Sequence, residues 1–480
     1  MSSSDPHLDP CAMPDIRSAR LPAQAYATRF ADASPRLTHG QALLESERCL
    51  YCFDAPCATA CPTGINVPSF IKRIADENLR GAARTILDSN PLGGMCARVC
   101  PTENLCEAVC VRNTQEDRPV AIGRLQRHAV DGLMESDRPQ VFTRAAPTGK
   151  KVAVVGAGPA GLACAYTLAR LGHDIVVFDA KPKAGGLNEY GLASYKTPDN
   201  FAQRELAWLL AIGGIEIRNN WKLQTKAEIY ALRQHYSAVF QGNVRAALAG
   251  SSLASLRQDH AAVFLGMGLA TTQPLSVPGE DLNGVEDAVD FIARLRQSED
   301  FSTLPIGRRV VVIGGGMTAV DAAVQSRLLG AESVHIVHRR GPETMSSSQE
   351  EQHWAQTNGV TIHHWLAPVE VVGQDGHATG VTFAQQAMVN GQLQATGQTE
   401  FMPADMVFKA IGQKLGNPVL AEAGLNLQGG RIVTDADGQT NLPSVWAGGD
   451  CRAGGLDLTV EAVEHGKRSA HAIHAHLTPM

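Results

Sequence analysis

Residues 151–180 read KVAVVGAGPAGLACAYTLARLGHDIVVFDA. An apolar run rich in β-branched residues leads into a glycine turn, an alanine-rich helical stretch and a second apolar run, the pattern of a β-α-β unit. Within the turn Gly156-Ala157-Gly158-Pro159-Ala160-Gly161, each glycine has a distinct task. Gly156 permits the tight turn, Gly158 lets backbone approach a pyrophosphate, and Gly161 allows helix and strand to pack closely. The pyrophosphate would rest on free N–H groups at the helix N-terminus. Asp179 closes the second run about 20 residues on, where a carboxylate accepts from ribose hydroxyls. The apolar stretch Val152–Ala169 is broken by these glycines, so it reads as strand, turn and helix, not as a membrane span.

A second unit of this kind begins at Arg308, RRVVVIGGGMTAVDAAVQSRLLGAESVHIVHRR. Its turn is Gly314-Gly315-Gly316-Met317-Thr318-Ala319, with alanine in the third glycine position. The strand after it ends His338-Arg339-Arg340 without an acid. An arginine pair there suits a 2′-phosphate, so the bare chemistry leans to NADPH; a solvated turn is the alternative. Two such units predict two nucleotides. Gly185-Gly186-Leu187 follows the first unit, and Gly448-Gly449-Asp450 precedes Thr459-Val460-Glu461-Ala462 and a helical tail. A late Gly-Gly-Asp returning to the first unit sets a carboxylate and a helix N-terminus at a flavin. The first site is therefore expected to take FAD, and the second, inserted one the nicotinamide cofactor. Taken alone, Asp450 also reads as a helix-capping aspartate.

Eight of the eleven cysteines fall between Cys49 and Cys110. The first set is Cys49-x2-Cys52-x4-Cys57-x3-Cys61-Pro62, and the second is Cys96-x3-Cys100-Pro101-x4-Cys106-x3-Cys110. A secreted disulfide scaffold would be short and carry a signal, whereas Met1–Arg20 is polar without an apolar core. Thiolates in a reducing compartment read as ligands, and Cys-Pro closing a run is a ferredoxin-like trait. Structural zinc is the alternative, but eight uneven ligands exceed one zinc site. Two [4Fe–4S] clusters are expected, with interleaved ligation, because in two-cluster ferredoxins the last cysteine of a run ligates the other cluster.

The remaining text bounds the organisation. The 480 residues are 44% hydrophobic and 19% charged with a formal net charge of −6, which offers no electrostatic footprint for nucleic acid or an anionic membrane. Cytoplasmic residence is expected. Helical patterns at Gly40–Arg48, Val67–Asn78 and Arg80–Asp88 surround the cysteines, Arg144–Lys150 reads as a linker, and residues 1–40 read as a loosely ordered lead-in. One short repeat, Leu232–Gly242 against Leu256–Gly266, reads as a local duplication whose first copy loops out; two adjacent strands are the alternative. The fold class is α/β: an N-terminal all-helical iron–sulfur domain over 1–147, then two Rossmann-like domains. The FAD domain spans 148–272 and 406–480, and the NAD(P)H domain, 273–405, is inserted in it.

The run CLYCFDAPCATACPTGINVPSF from Cys49 to Phe70, the second cysteine set and AIGRLQRHA from Ala121 to Ala129 resemble the N-terminal half of dihydropyrimidine dehydrogenase. The chain is more closely similar to the separate NADH-oxidising subunit of the bacterial two-subunit enzyme. The resemblance runs from about residue 41 to the C-terminus. The small subunit of glutamate synthase shares the architecture but lacks the CPTGINVPSF-like text and the Leu-Gln after the second set. The resemblance implies one cluster on Cys49, Cys52, Cys57 and Cys110. It implies the other on Cys61, Cys100, Cys106 and Gln126, with Cys96 left over; spacing alone selects Cys96 and passes over Gln126. It further implies FAD along Ala157, Gly158, Pro159, Ala160 and Gly161, Asp179 to Gly186 and Leu187, Lys196, Gly449, Asp450 and Thr459. The nicotinamide cofactor is implied along Gly315, Gly316, Met317, Thr318, Arg339, Arg340, Ala410, Ile411 and Gly412. NADPH-using relatives carry a further arginine where this chain has Met345-Ser346-Ser347-Ser348, which shifts the expectation from NADPH to NADH. The implied activity is hydride transfer from NADH to FAD and release of single electrons through the clusters. The implied acceptor is an FMN- and iron–sulfur-containing subunit that reduces uracil or thymine, in a hetero-oligomer. The pyrimidine site would belong to that subunit, and no general acid or base is assigned to this chain.

Overall fold

The computed structural model describes residues 21–225, 227–228, 230, 250–416 and 418–479. The first copy of the short repeat and Met1–Arg20 lie outside the described residues. The chain forms two compact units, one of residues 34–189, 196–271 and 414–480, the other of residues 272–413 with 190–195 and the segment ending at Ala33.

In the first unit the helical patterns become the helices His39–Glu47, Val67–Ala75 and Leu79–Ser89, followed by Gly93–Val99 and Ile122–Met134. Local chemistry fixes their starts. Thr38 and Gln41 form a capping box, and the Asn66 and Asn78 side chains accept from Ser69 and Gly81 N–H groups. Apolar faces such as Phe70, Ile71 and Ile74 turn inward at helical spacing and are buried. The same unit holds a five-stranded parallel sheet in the order Val445–Ala447, Ala262–Leu265, Lys151–Val155, Asp174–Phe178, Ile215–Arg218. Val152 pairs with Ile175 on one side and Ala262 on the other. Both faces of this sheet are covered at its centre, which is why Lys151–Val155, Asp174–Phe178 and Ala262–Leu265 carry continuous apolar runs, while the edge strand Ile215–Arg218 alternates. The second copy of the repeat supplies the end of helix Leu253–Asp259 and strand Ala262–Leu265. Helical region and sheet share one hydrophobic core, in which Ile86, Leu87 and Val130 join Val152, Leu162 and Phe264. The structure thus joins the stretch expected as a separate helical domain to the first five-stranded sheet in a single unit.

The second unit has its own five-stranded parallel sheet, ordered Val360–His364, Ser333–His338, Arg309–Ile313, Met406–Lys409, Val285–Asp287, and a three-stranded antiparallel sheet of Leu366–Gln374, His377–Val389 and Gln392–Pro403. Two boundaries differ from the expected ones. Met406–Lys409 pairs residue for residue with Val310–Ile313, so this strand belongs to the inserted unit and not to the returning flavin part. Residues ahead of the cysteines also belong here: helix Ala23–Arg29 buries Tyr26, and the Phe30 and Phe301 rings lie 4.5 Å apart.

Candidate functional site

The first glycine turn is shaped by close approach. Gly156 has φ +100°, and a Cβ there would stand 2.3 Å from the Gly266 carbonyl oxygen. At Gly161 a Cβ would stand 1.9 Å from the Gly156 oxygen. Larger residues are excluded at both positions. Gly158 differs: its nearest neighbour would be Gly186 Cα at 3.8 Å, so the backbone there faces open space. Gly158 is also the N-cap of helix Pro159–Arg170, with Pro159 at the first helical position and Ala160 behind it. The first N–H groups of a helix have no partner inside it. An open glycine cap before them is a fit for a pyrophosphate.

Other candidates are tied to this turn. Ala157 N–H donates to Asp179 Oδ2 at 2.6 Å and Lys181 N–H to Oδ1 at 2.8 Å. Asp179 therefore braces the turn, a role the sequence did not show, while two oxygens retain further acceptor capacity. Burial raises its pKa, against the pull of these two N–H groups. Thr459 Oγ1 lies 3.4 Å from Asn188 Oδ1, which sets the start of helix Thr459–Leu477 beside Gly186 and Leu187. Gly449 has φ +73°, and its Cβ would meet Ala160 at 2.9 Å. Asp450 follows in a single 3-10 turn. Burial, with Asp457 and Glu461 nearby, lifts its carboxyl to about 6 while Arg431 opposes the rise. Gly449 N–H donates to His465 Nδ1 at 3.3 Å, and burial beside Arg452 and Arg468 pushes that imidazole down to about 4, so it accepts as the neutral ring. Lys196 ends the 3-10 turn Ser194–Lys196.

The second glycine turn is built the same way from different neighbours. Gly314 has φ +149°, with a Cβ position 2.2 Å from the Ala410 oxygen. Gly315 faces His338 Nδ1 at 2.5 Å from its Cβ position, and Gly316 faces Ser346 Oγ at 3.1 Å. Gly316 caps helix Met317–Leu329, whose first turn holds Met317 and Thr318. Ser347 donates both its N–H and its hydroxyl to the Gly315 oxygen, each at 3.1 Å. The segment noted for lacking a cation is therefore seated on the turn. Arg339 and Arg340 are exposed just past strand Ser333–His338. Burial lowers the His338 pKa, and His364, Arg340 and Arg339 lower it further, so the arginine charges reach the ring that covers Gly315. Ala410 N–H donates to Ile313 at 2.8 Å, and Gly412 follows Ile411 with φ +100°. Sequence reasoning missed His338 and Ser347 as neighbours of the turn; their only signal was position at the end of the second strand and shortly after it.

The ten described cysteines are all free thiols. Cys49, Cys52, Cys57 and Cys110 line one pocket together with Val67, Ile71, Val120 and Ile122. Burial pushes Cys57 up to about 11, with Cys49 and Cys110 adding to the rise. Burial likewise raises Cys49, helped by Cys52 and Cys110. Thiols gathered in an apolar pocket cannot all ionise against one another, and a polycationic centre is what would stabilise them as thiolates. Among the described residues no group of three or more His, Cys, Asp or Glu is drawn around one point as a single metal ion requires. Four thiols lining one pocket are the ligand type and number that an iron–sulfur cluster takes.

The second group is held differently. A hydrogen bond to Cys96, then burial, then Cys96, Cys106 and Cys61 raise Cys100 well above its ordinary value. Burial raises Cys106, with Glu107, Cys61 and Cys57 adding to it. These three thiols are thus neighbours, with Cys96 buried beside them in helix Gly93–Val99. Gln126 lies on helix Ile122–Met134, and its Nε2 donates to the Gly93 oxygen at 2.7 Å. That bond fixes the amide and leaves Oε1 as the atom that could ligate iron. Beside this helix pair lies a buried charge network. Glu205 accepts from Gly94 N–H at 2.7 Å and Met95 N–H at 3.2 Å, and Arg98 makes a two-pronged pair with Asp131 at 2.8 and 2.9 Å.

Residues 150–466 match the pyridine nucleotide-disulphide oxidoreductase family, and residues 26–138 match dihydropyrimidine dehydrogenase domain II, 4Fe-4S cluster. The chain is 33% identical over 457 residues to the NAD-dependent dihydropyrimidine dehydrogenase subunit PreT of Salmonella typhimurium, covering 95% of this chain and 98% of the relative. It is 32% identical to the glutamate synthase [NADPH] small chain of Escherichia coli K12, covering 95% of each. Among solved structures, Mycobacterium tuberculosis FprA in complex with NADPH matches with TM-score 0.53 and 18% identity over 68% of this chain and 83% of that one. Lactococcus lactis thioredoxin reductase matches with TM-score 0.50 and 19% identity over 69% of this chain and all of that one. No described helix is long and apolar enough to cross a membrane.

Proposed function

Because the chain belongs to the pyridine nucleotide-disulphide oxidoreductase family, and within it to the relatives of the dihydropyrimidine dehydrogenase subunit PreT, we propose that it is the electron-input subunit of such an enzyme. The observation that carries the proposal is that four thiols, Cys49, Cys52, Cys57 and Cys110, line one pocket in the same compact unit as the Gly156–Gly161 turn. When bound, FAD converts a hydride into single electrons and the clusters conduct them. The chain's own residues supply binding and orientation. Gly158 and the N-terminus of helix Pro159–Arg170 would hold the flavin pyrophosphate, with Asp450 and Thr459 on its ribityl side and Gly186, Leu187 and Lys196 alongside. Gly315, Gly316 and the N-terminus of helix Met317–Leu329 would hold the nicotinamide cofactor's pyrophosphate, with Arg339 and Arg340 at its adenosine end and Ala410–Gly412 opposite. Cys49, Cys52, Cys57 and Cys110 would hold one cluster; Cys61, Cys100, Cys106 and Gln126 the other. NADH is the proposed donor, supported by the uncharged Ser346–Ser348 on the turn and the relative's NAD-dependent name.

The proposed acceptor is an FMN- and iron–sulfur-containing subunit that reduces uracil or thymine across the 5,6 double bond. A second reading has support of its own, because the glutamate synthase small chain is almost equally similar. Metal and sulfide analysis of protein purified without oxygen tests the cluster part. About eight iron and eight labile sulfide per chain, with one FAD, are expected. Stoichiometric zinc without labile sulfide would overturn it.

A further inference from the structure

Gly93 and Gly94 share one peptide group, and both of its polar ends are taken by buried side chains. Gln126 Nε2 donates to the Gly93 oxygen at 2.7 Å, and the Gly94 N–H donates to Glu205 Oε1 at 2.7 Å. The two bonds are in series, from the Gln126 amide through the peptide to the carboxyl. Met95 N–H adds a second hold on Glu205, at 3.2 Å to Oε1 and 3.3 Å to Oε2. The glycines permit this approach. A Cβ on Gly94 would stand 2.5 Å from the Phe201 ring and 2.8 Å from Glu205 Oε1, and one on Gly93 would stand 2.6 Å from Ile86. Asn90 Oδ1 accepts from Leu92 N–H at 3.0 Å, so the turn into helix Gly93–Val99 is held from both sides of the shared peptide. Satisfying the start of a helix does not call for a fully buried acid from far along the chain. Helices Val67–Ala75 and Leu79–Ser89 are served by the asparagine just ahead of each, at no such desolvation cost.

We propose that Glu205, on helix Phe201–Leu210, is a positioning residue for the Gln126 amide, orienting its Oε1 toward iron and strengthening it as a ligand through the Gly93–Gly94 peptide. The proposal rests on the reading of Gln126 as a cluster ligand and adds what holds it to that task. Hydrogen bonds in series polarise one another, so an acceptor on the Gly94 N–H makes the Gly93 oxygen a better acceptor for the Gln126 N–H. A neutral amide is a weak ligand beside three thiolates. A bond drawn from its N–H moves charge onto its oxygen, which is the atom left to ligate, as outer partners do for other metal-bound side chains. The same bond fixes which end of the amide faces the thiols of Cys61, Cys100 and Cys106.

The test uses holoprotein purified without oxygen and two readouts, the rate of iron release to a ferrous chelator and the low-temperature electron paramagnetic resonance spectrum after dithionite. The cluster on Cys49, Cys52, Cys57 and Cys110 serves as the internal control. Glu205→Leu removes the acceptor and should release about four of about eight irons at least tenfold faster, within the roughly 10–100-fold that outer partners of metal ligands are worth. One of the two cluster signals should change and the other should keep its wild-type form. Glu205→Asp keeps the acid but withdraws it by one methylene, and should act in the same direction should the leucine variant not fold. Glu205→Gln keeps an acceptor for Gly94 and should restore wild-type release and spectrum. Leucine and aspartate variants with wild-type release and both wild-type signals would overturn the positioning role and leave the cluster reading standing. So would equal acceleration of all the iron, which would mark a general loss of packing. Gln126→Ala with about eight irons and an unchanged spectrum would overturn the ligand reading and the positioning role with it.

Discussion

Glu205 is fully buried, and burial lifts its carboxyl from 4.5 to about 8 despite the N–H groups of Gly94 and Met95 and the charge of Arg98. Arg98 cannot hold it ionised, because that guanidinium is already committed to Asp131 and stacked 3.3 Å over the Phe201 ring. The folded chain therefore keeps this proton longer than the unfolded chain does. Stability from this group is fully present below about pH 4.5 and is lost as pH rises through about 8, at about 1.4 kcal/mol per pH unit. By pH 7 the loss is about 3 kcal/mol, and above pH 8 it reaches about 5 kcal/mol. Glu205→Gln keeps an acceptor for Gly94 and removes the titration. It should leave the melting midpoint unchanged near pH 4.5 and raise it by about 6 °C at pH 7, at roughly 2 °C per kcal/mol for a unit of this size. The assay is circular dichroism melting at a fixed scan rate from about pH 4.5 to about pH 8, wild type and variant in parallel. A variant that melts lower at every pH by the same margin would refute the reasoning. It would mean that Glu205 is ionised and held by Arg98.

Cys96→Ser should retain both clusters, whereas Cys100→Ser should lose one, lowering iron from about eight to about four per chain by colorimetric assay. Gly466→Ala would drive a Cβ to 2.1 Å from the Ala160 oxygen, where no rotamer change helps. Helices Pro159–Arg170 and Thr459–Leu477 must then part at a cost of about 1–3 kcal/mol or more, read as lost FAD absorbance and a lower melting midpoint. In dye reduction NADH should show a higher kcat/KM than NADPH, and Ser346→Arg, facing Gly316, should narrow that gap; a wild-type preference for NADPH would show that Arg339 and Arg340 suffice for the 2′-phosphate.

The parts of the fold legible in the sequence are those where one residue type answers one geometric demand. Gly156 and Gly161 stand where a Cβ would strike backbone, so the turn is written in the glycines themselves. The central strands Lys151–Val155 and Arg309–Ile313 announce themselves as nearly unbroken apolar runs because both their faces are covered. Met406–Lys409 carried no such mark of allegiance: a short apolar strand reads the same in either sheet, and only its ladder with Val310–Ile313 assigns it. Residues 23–33 looked like a lead-in because Tyr26 and Phe30 find their packing partners far along the chain. At the candidate sites, the bracing of Ala157 by Asp179 and the seating of Ser347 on Gly315 depend on backbone groups, which spacing does not display. Gln126 was within reach only through resemblance, since a glutamine on a helix has no ligand signature of its own. Glu205 sits in a stretch, FAQRELAWLL, that gives no hint of a fully buried acid.

The central claim is that this chain feeds electrons to a separate pyrimidine-reducing protein. The most direct measurement is anaerobic NADH oxidation with uracil present, with product analysis, for the chain alone and then with that partner added. The account predicts dye reduction but no uracil consumption by the chain alone, and one dihydrouracil formed per NADH once the partner is present. Uracil consumed by the chain alone, or coupling to the glutamate synthase large chain and none to the pyrimidine-reducing subunit, would contradict it.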